Sequence, residues 1–236
     1  MKHSGKTLLL RVGRYLWKEW FKPVLVAAAI VLPFKSAIAD WNWVPSGSMK
    51  PTILEGDLVL VNKLAYDLKV PFTLRRLASW GDPSRDEIVV FFSPHDGQRL
   101  VKRVVGVPGD RLEMRGGVLF RNGVALEHEP MAWEPYRKEI YEDPAPLIAR
   151  ERSASGTHLV LALPGRAHAR DFPEMIVPEG RYFMMGDSRD NSFDSRFYGT
   201  VERKQIVGRT SRVGLSFDKN RLYRPRWKRT LLPFET

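Results

Sequence analysis

The chain has 236 residues, 43% hydrophobic and 28% charged, a balance that excludes wholesale disorder and a length that fits one large domain or two small ones. It contains no cysteine, which excludes disulfides, thiolate metal sites and a cysteine nucleophile while leaving the compartment open. Its net charge of +11 sits in the ends, +5 over residues 1–22 and +5 over residues 219–236 with only +1 between, which disfavours a nucleic-acid partner and suits an anionic membrane surface.

The first element is apolar. Residues 23–34 read PVLVAAAIVLPF without a charge, short for a membrane span and typical of a signal-peptide core. Ala37-Ile38-Ala39 after it would serve as a small-residue cleavage site, so a cleaved export signal is one reading. The flanking tryptophans, Trp17 and Trp20 before and Trp41 and Trp43 after, favour a retained anchor. A helix from Trp20 to Trp41 would rise roughly 32 Å, about the hydrocarbon thickness, with an aromatic belt at each interface. Pro33 would kink or end that helix, and Lys35 would snorkel outward. The expectation is a basic cytoplasmic N-terminus (1–19), a transmembrane anchor (20–43), and everything beyond Trp43 on the outer side.

After the anchor the chain reads as strands. GDLVLVNKL (56–64), DEIVVFFS (86–93) and QRLVKRVVGV (98–107) are short apolar runs bounded by turn residues. GGVLFRNGVAL (116–126) is a hairpin signal, with Asn122-Gly123 supplying a type I′ turn. THLVLAL (157–163), GRYFMMGD (180–187) and QIVGRTSRVGLSF (205–217) are further strand candidates. PFTLRRLASW (71–80) suits a short helix. Residues 127–156, rich in Pro, Glu and Arg, read as an exposed insertion or connector.

The chemistry has three candidate stretches. VPSGSMKP (44–51) sets Ser46 and Ser48 either side of Gly47, and on its own Ser-Gly-Ser is turn chemistry. A nucleophile needs a base. His3 lies before the anchor, and His95, His128, His158 and His168 lie near loops or in the irregular insertion, with no evident acidic orienter. In RLVKRVVGV, alternation places Leu100, Lys102 and Val104 on one face. Desolvation there would lower the Lys102 pKa, and a partly neutral lysine can accept a serine proton; the alternative is a lysine at a strand edge reaching solvent. Arg103 cannot act as a base at any workable pH. In GDSRDNSFDSR (186–196) the aspartates suggest a calcium loop, but an EF-hand register from Asp187 puts Arg189 at a ligand position and Tyr198 at the final glutamate. No metal or cofactor is expected. The loop reads instead as internally paired, with Ser192 as its useful hydroxyl.

Taken together, PSGSMKPT (45–52), GDLVLVNK (56–63), DEIVVFFSP (86–94), VKRVVGVPGD (101–110) and GDSRDNSFDSR (186–196), in that order behind an apolar segment, resemble bacterial type I signal peptidase, the leader peptidase family. The resemblance covers most of the region beyond the anchor except residues 111–180. It implies a mainly antiparallel β catalytic domain (44–110 and 181–218) with a smaller β insertion (111–180), after the one transmembrane helix; the basic tail (219–236) is read from the sequence as a lipid contact or a solvated end. It implies Ser48 as nucleophile, Lys102 as general base, Ser46 and the Ser48 N–H as oxyanion donors, and Ser192 as the group orienting Lys102. It further implies pairing of Asp187 with Arg103 and of Asp194 with Arg196. The implied substrate is an exported preprotein cut after an Ala-x-Ala-like sequence, and the implied setting is the cytoplasmic membrane with the catalytic domain on its outer face. Many members have two spans before the nucleophile, whereas this chain has room for one. Rivals are a peptidase specialised for one substrate and an inactive membrane-anchored scaffold.

Overall fold

The computed structural model describes residues 14–142, 144–166 and 171–234. Lys2, His3, Lys6, Arg11 and His168 fall outside them. The segment Arg14–Ala37 is one continuous helix of 24 residues, in which an 18-residue stretch has a mean hydropathy of 1.4 and almost no burial. By length and composition it can cross a membrane. A π-helical turn at Trp17–Phe21 passes into α1, Lys22–Ala37. Pro33 lies inside α1 without ending it.

The helix stops at Ala37, six residues short of Trp43, because the next segment has a better use for its backbone. Ala39–Trp43 (β1) pairs antiparallel with Asp57–Asn62 (β2), Trp41 opposite Leu60 and Trp43 opposite Leu58. Trp43 packs on Phe217 and Tyr223 at 6.4 and 6.3 Å between ring centres. Lys63 caps the helix end by donating to the Lys35 and Ser36 carbonyls at 3.2 and 2.9 Å, a cation where the helix dipole is negative.

The strands that follow are Asp67–Lys69 (β3), Arg76–Ser79 (β4), Ile88–Phe92 (β5), Arg99–Gly106 (β6), Arg111–Arg115 (β7), Val118–Arg121 (β8), Val124–Ala125 (β9) and Glu127–Met131 (β10). Beyond them run Leu147–Ser153 (β11), Gly156–Ala162 (β12), Phe172–Ile176 (β13), Arg181–Met185 (β14), Val201–Glu202 (β15), Ile206–Asp218 (β16) and Arg224–Pro225 (β17). The main sheet has the order β1-β2-β16-β5-β6-β14-β15, with β17 added beside β16. Smaller sheets are β10-β11-β12, β13-β7-β8-β9 and the β3-β4 hairpin. Every strand pairing is antiparallel. The fold is mainly antiparallel β, and the apolar runs that predicted β2, β5, β6, β12, β14 and β16 supply its core. Val59, Val61, Ile88, Val90, Val101 and Val213 form one buried cluster, and Val89, Phe91, Val104, Met184 and Ile206 another on the opposite face of the sheet's centre. Asn122 and Gly123 both have positive φ, 55° and 80°, as a type I′ turn requires.

One expectation about these elements fails. Residues 71–80 form the turn and second strand of the β3-β4 hairpin, not a helix. Phe72, Leu74, Leu77 and Trp80 are exposed, so no core face exists to reward a helical period. Residues 127–156, expected as an exposed insertion or connector, contribute β10 and β11. Their alternation is hidden because charge pairs, not apolar contacts, fill many positions: Arg150 and Arg152 both face Glu129, at 3.5 and 3.6 Å.

The C-terminal segment folds back onto the main sheet. Arg229 Nη2 reaches Asp57 at 2.8 Å and the Thr52 carbonyl at 3.1 Å, and Arg226 pairs with Asp218 at 3.3 Å. Phe234 enters the core cluster that holds Val44 and Met49. Phe234→Ala is therefore expected to lower unfolding free energy by about 3 kcal/mol, read from denaturant titration of the protein in detergent.

Candidate active site

The turn after β1 is tied at both ends by backbone bonds. Val44 N–H donates to the Asp57 carbonyl and Gly56 N–H to the Val44 carbonyl, each at 2.9 Å, and Lys50 N–H closes on the Gly47 carbonyl at 3.0 Å. Met49 and Ile53 sink into the core. Ser48 is thereby left half-buried at the surface of a cleft, with Ser46 exposed beside it. The Lys50 side chain is buried and donates to Glu142 at 2.8 Å; it does not face the cleft.

Lys102 comes from β6, where it stands opposite Val89 of β5. It is 3% exposed, so the edge alternative does not hold. Its Nζ is hydrogen-bonded to Ser48 Oγ. Burial brings the Lys102 pKa down to about 8; Asp194 and Asp187 pull it up and Arg196 pushes it further down, and burial prevails.

The loop 186–196 supplies the third wall. Asp187 receives a two-pronged bond from Arg103, 2.9 and 2.7 Å, and a third from the Thr52 hydroxyl at 2.5 Å. Burial would raise the Asp187 pKa, but the Arg103 charge and bonds outweigh it and hold the carboxyl below its ordinary value. Asp194 is treated likewise by Arg196, through Nε and Nη2 at 2.8 Å each, and also accepts the Gly186 N–H at 3.0 Å. The loop meets the serine turn directly: Ser188 N–H donates to the Ser48 carbonyl at 3.1 Å. Only glycine fits at 186, since a Cβ there would lie 2.4 Å from the Ser48 carbonyl oxygen.

The structure thus brings together Ser46, Ser48, Lys102 and Ser192 around one open cleft of about 620 Å³, with both expected ion pairs formed behind it. One expected contact is missing. The buried Ser192 hydroxyl is turned to the Asp194 carboxylate rather than to Lys102; the Lys102 amine is engaged by Ser48 instead. Among the described residues the Ser48 N–H donates to no backbone carbonyl. Val44, Met49, Leu100 and Val101 give the cleft an apolar floor, and Phe193 and Phe197, stacked at 5.2 Å, form a rim. No motif marks a role for these two phenylalanines, although their four-residue spacing across the start of a helical turn was the available signal. His128 and His158 do meet a carboxylate, Glu151, at 2.8 and 3.2 Å, yet neither lines the cleft. Among the described residues no group of three or more His, Cys, Asp or Glu is arranged to hold a metal ion.

A family model described as signal peptidase, peptidase S26, matches residues 17–214. The chain belongs to the signal peptidase family. It is 35% identical over 233 residues to a signal peptidase I of Pseudomonas fluorescens, covering 94% of this chain and 78% of that one. A signal peptidase I of Pseudomonas aeruginosa is 34% identical over 232 residues, covering 92% of this chain and 76% of the other. A solved signal peptidase I from Enterococcus faecalis is 28% identical and covers 56% of this chain and 98% of its own, with a TM-score of 0.36; at that score the overlay adds nothing to the fold described above.

Burial of Lys102 has a stability consequence. Its pKa is about 8 in the fold against an ordinary 10.5, so the unfolded chain binds more protons between those values and stability rises with pH across that window. At pH 7 the buried ammonium is a cost. Lys102→Met should raise unfolding free energy at pH 7 by about 2 kcal/mol after allowing for the lost Ser48 bond. The gain should shrink as pH rises from about 8 towards 10.5, which thermal melts across that range would measure.

Proposed function

We propose that this chain is a membrane-anchored serine endopeptidase with a Ser48–Lys102 dyad, removing signal peptides from exported preproteins after an Ala-x-Ala-like sequence. The observation that carries the reading is the hydrogen bond between a half-buried serine and a desolvated lysine in an apolar cleft.

In this reading Ser48 Oγ attacks the scissile carbonyl carbon as its proton passes to neutral Lys102 Nζ. The oxyanion is met by the Ser48 N–H and the Ser46 hydroxyl. Lys102, now an ammonium, gives its proton to the departing amine. It then takes a proton from water as that water attacks the acyl-enzyme, and passes it to Ser48 Oγ as the oxygen leaves, restoring the neutral amine and the hydroxyl. Once Ser48 Oγ has left the amine for the substrate, Lys102 needs another neutral partner, and we assign that role to the Ser192 hydroxyl, which lines the same cleft. A carboxylate in the same place would raise the lysine pKa and protonate the base. Asp187 and Asp194 are kept from that role by Arg103 and Arg196, which the proposal treats as structural support.

An extended substrate can add to the main sheet. β14 pairs with β6 only from Arg103 onward, leaving the Arg99–Lys102 half of that edge without a strand among the described residues. The apolar floor beside it suits small side chains before the cut. The helix Arg14–Ala37 fits a single-pass anchor in the cytoplasmic membrane. The basic N-terminus then places that end in the cytoplasm, and the catalytic domain on the outer face beside membrane lipid.

Purified full-length protein in lipid vesicles is expected to cleave a preprotein ending in Ala-x-Ala, with Ser48→Ala and Lys102→Ala each lowering kcat about 10⁴-fold or more. Ser46→Ala should cost about 10²-fold. Retained turnover in either dyad variant would sink the mechanism. Because Lys102 must be neutral, kcat/KM should climb with pH through about 8 and then level off; a profile flat between pH 6 and 9 would exclude a lysine base.

A further inference from the structure

The loop that seats Ser48 is held from behind by the inserted sheet, through a charge pair that the mechanism does not use. Arg189, three residues from Ser192, turns away from the cleft and is buried. Its Nη1 and Nη2 grip the two oxygens of Glu151 at 2.8 and 2.7 Å. Glu151 lies at the centre of β11, flanked in register by His128 of β10 and His158 of β12. It is 1% exposed.

Backbone bonds run in the same direction. Leu161 N–H of β12 donates to the Asp187 carbonyl and Arg189 N–H to the Leu161 carbonyl, each at 2.8 Å. Leu163 N–H donates to Asp190 Oδ2 at 2.9 Å. The strand β12 therefore lies alongside residues 187–190, and Glu151 clamps their only arginine. Directly inside that stretch, Ser188 N–H holds the Ser48 carbonyl and Asp187 holds Arg103 and Thr52.

We propose that Glu151 is a positioning residue for the peptidase reaction, acting through Arg189 to fix the loop that orients Ser48. The proposal rests on the assignment of Ser48 as nucleophile. A shift of the Ser188 N–H rotates the Ser48 residue about its own backbone, and with it the Cα–Cβ bond that aims Oγ. The fork of a guanidinium on a carboxylate suits such a task, because it fixes direction as well as distance. Stability alone does not call for it, since buried ion pairs are commonly replaced by apolar residues without loss.

The test is the full-length protein carrying Glu151→Gln with Arg189→Met, which removes both charges and leaves an amide oxygen to accept from one of His128 and His158 and an amide N–H to donate to the other. Expected are a melting temperature close to the parent, KM within about twofold, the same pH midpoint, and kcat lower by about 10- to 100-fold, the scale of a misplaced reacting group. A folded double variant with parental kcat overturns the proposal. Should the double variant not fold, Arg189→Lys decides: it keeps the charge and loses the fork, and kcat is expected to fall about tenfold. Parental kcat in Arg189→Lys overturns the proposal as well. Ser48→Ala in the same assay separates the two readings. Cleavage by that variant refutes the nucleophile itself, whereas an inactive Ser48→Ala beside a fully active clamp variant refutes only the clamp.

Discussion

The site depends on one constraint: a lysine amine must sit dry, next to a hydroxyl, with no carboxylate free to hold it protonated. Two carboxylates lie near enough to raise the Lys102 pKa, Asp194 and Asp187. Each is already committed to its own arginine, Arg196 and Arg103. Asp194 and Asp187 still favour the ammonium and Arg196 opposes them, but desolvation is the larger effect and favours the neutral amine.

The same constraint explains how much of the structure is spent behind the cleft. Arg103 is fully buried and bonds the Asp86 carbonyl as well as Asp187. Asp187 also takes the Thr52 hydroxyl, four residues after the serine. The serine turn, the lysine strand and the acidic loop therefore share one hydrogen-bonded unit, in which displacement of one part is felt by the others. The C-terminal segment completes it from below, with Arg229 on the Thr52 carbonyl and Phe234 among Val44 and Met49.

The N-terminal apolar helix and the main sheet are joined by a single residue. α1 ends at Ala37 and β1 begins at Ala39, with Lys63 bonded to the last helical carbonyls. Asp40 then gathers Lys63 and Arg99 at 3.3 and 3.0 Å, and Arg99 belongs to the cleft wall. A cleft attached this closely to the helix end stands at a fixed height above it.

The amino-acid sequence alone determined the elements whose signals are local. Apolar runs at 56–64, 86–93, 98–107 and 205–217 became strands because each buries its own side chains. The Asn122-Gly123 turn followed from backbone freedom at two adjacent residues. The stretches holding Ser48, Lys102 and Asp187 were legible as motifs, and alternation alone put Lys102 among apolar neighbours. Tertiary structure decided the rest, because the deciding partners are remote. The strands β10 and β11 carry no apolar alternation, since their inward charge, Glu151, is matched by Arg189, 38 positions later. Nothing in the basic tail's own sequence names the partner of Arg229, which is Asp57, 172 positions earlier. Whether Lys102 would be buried, and whether Ser192 or Ser48 would hold its amine, depended on how three separate chain segments converge. A charge reads as solvated in a sequence; only the fold shows which charges have found partners.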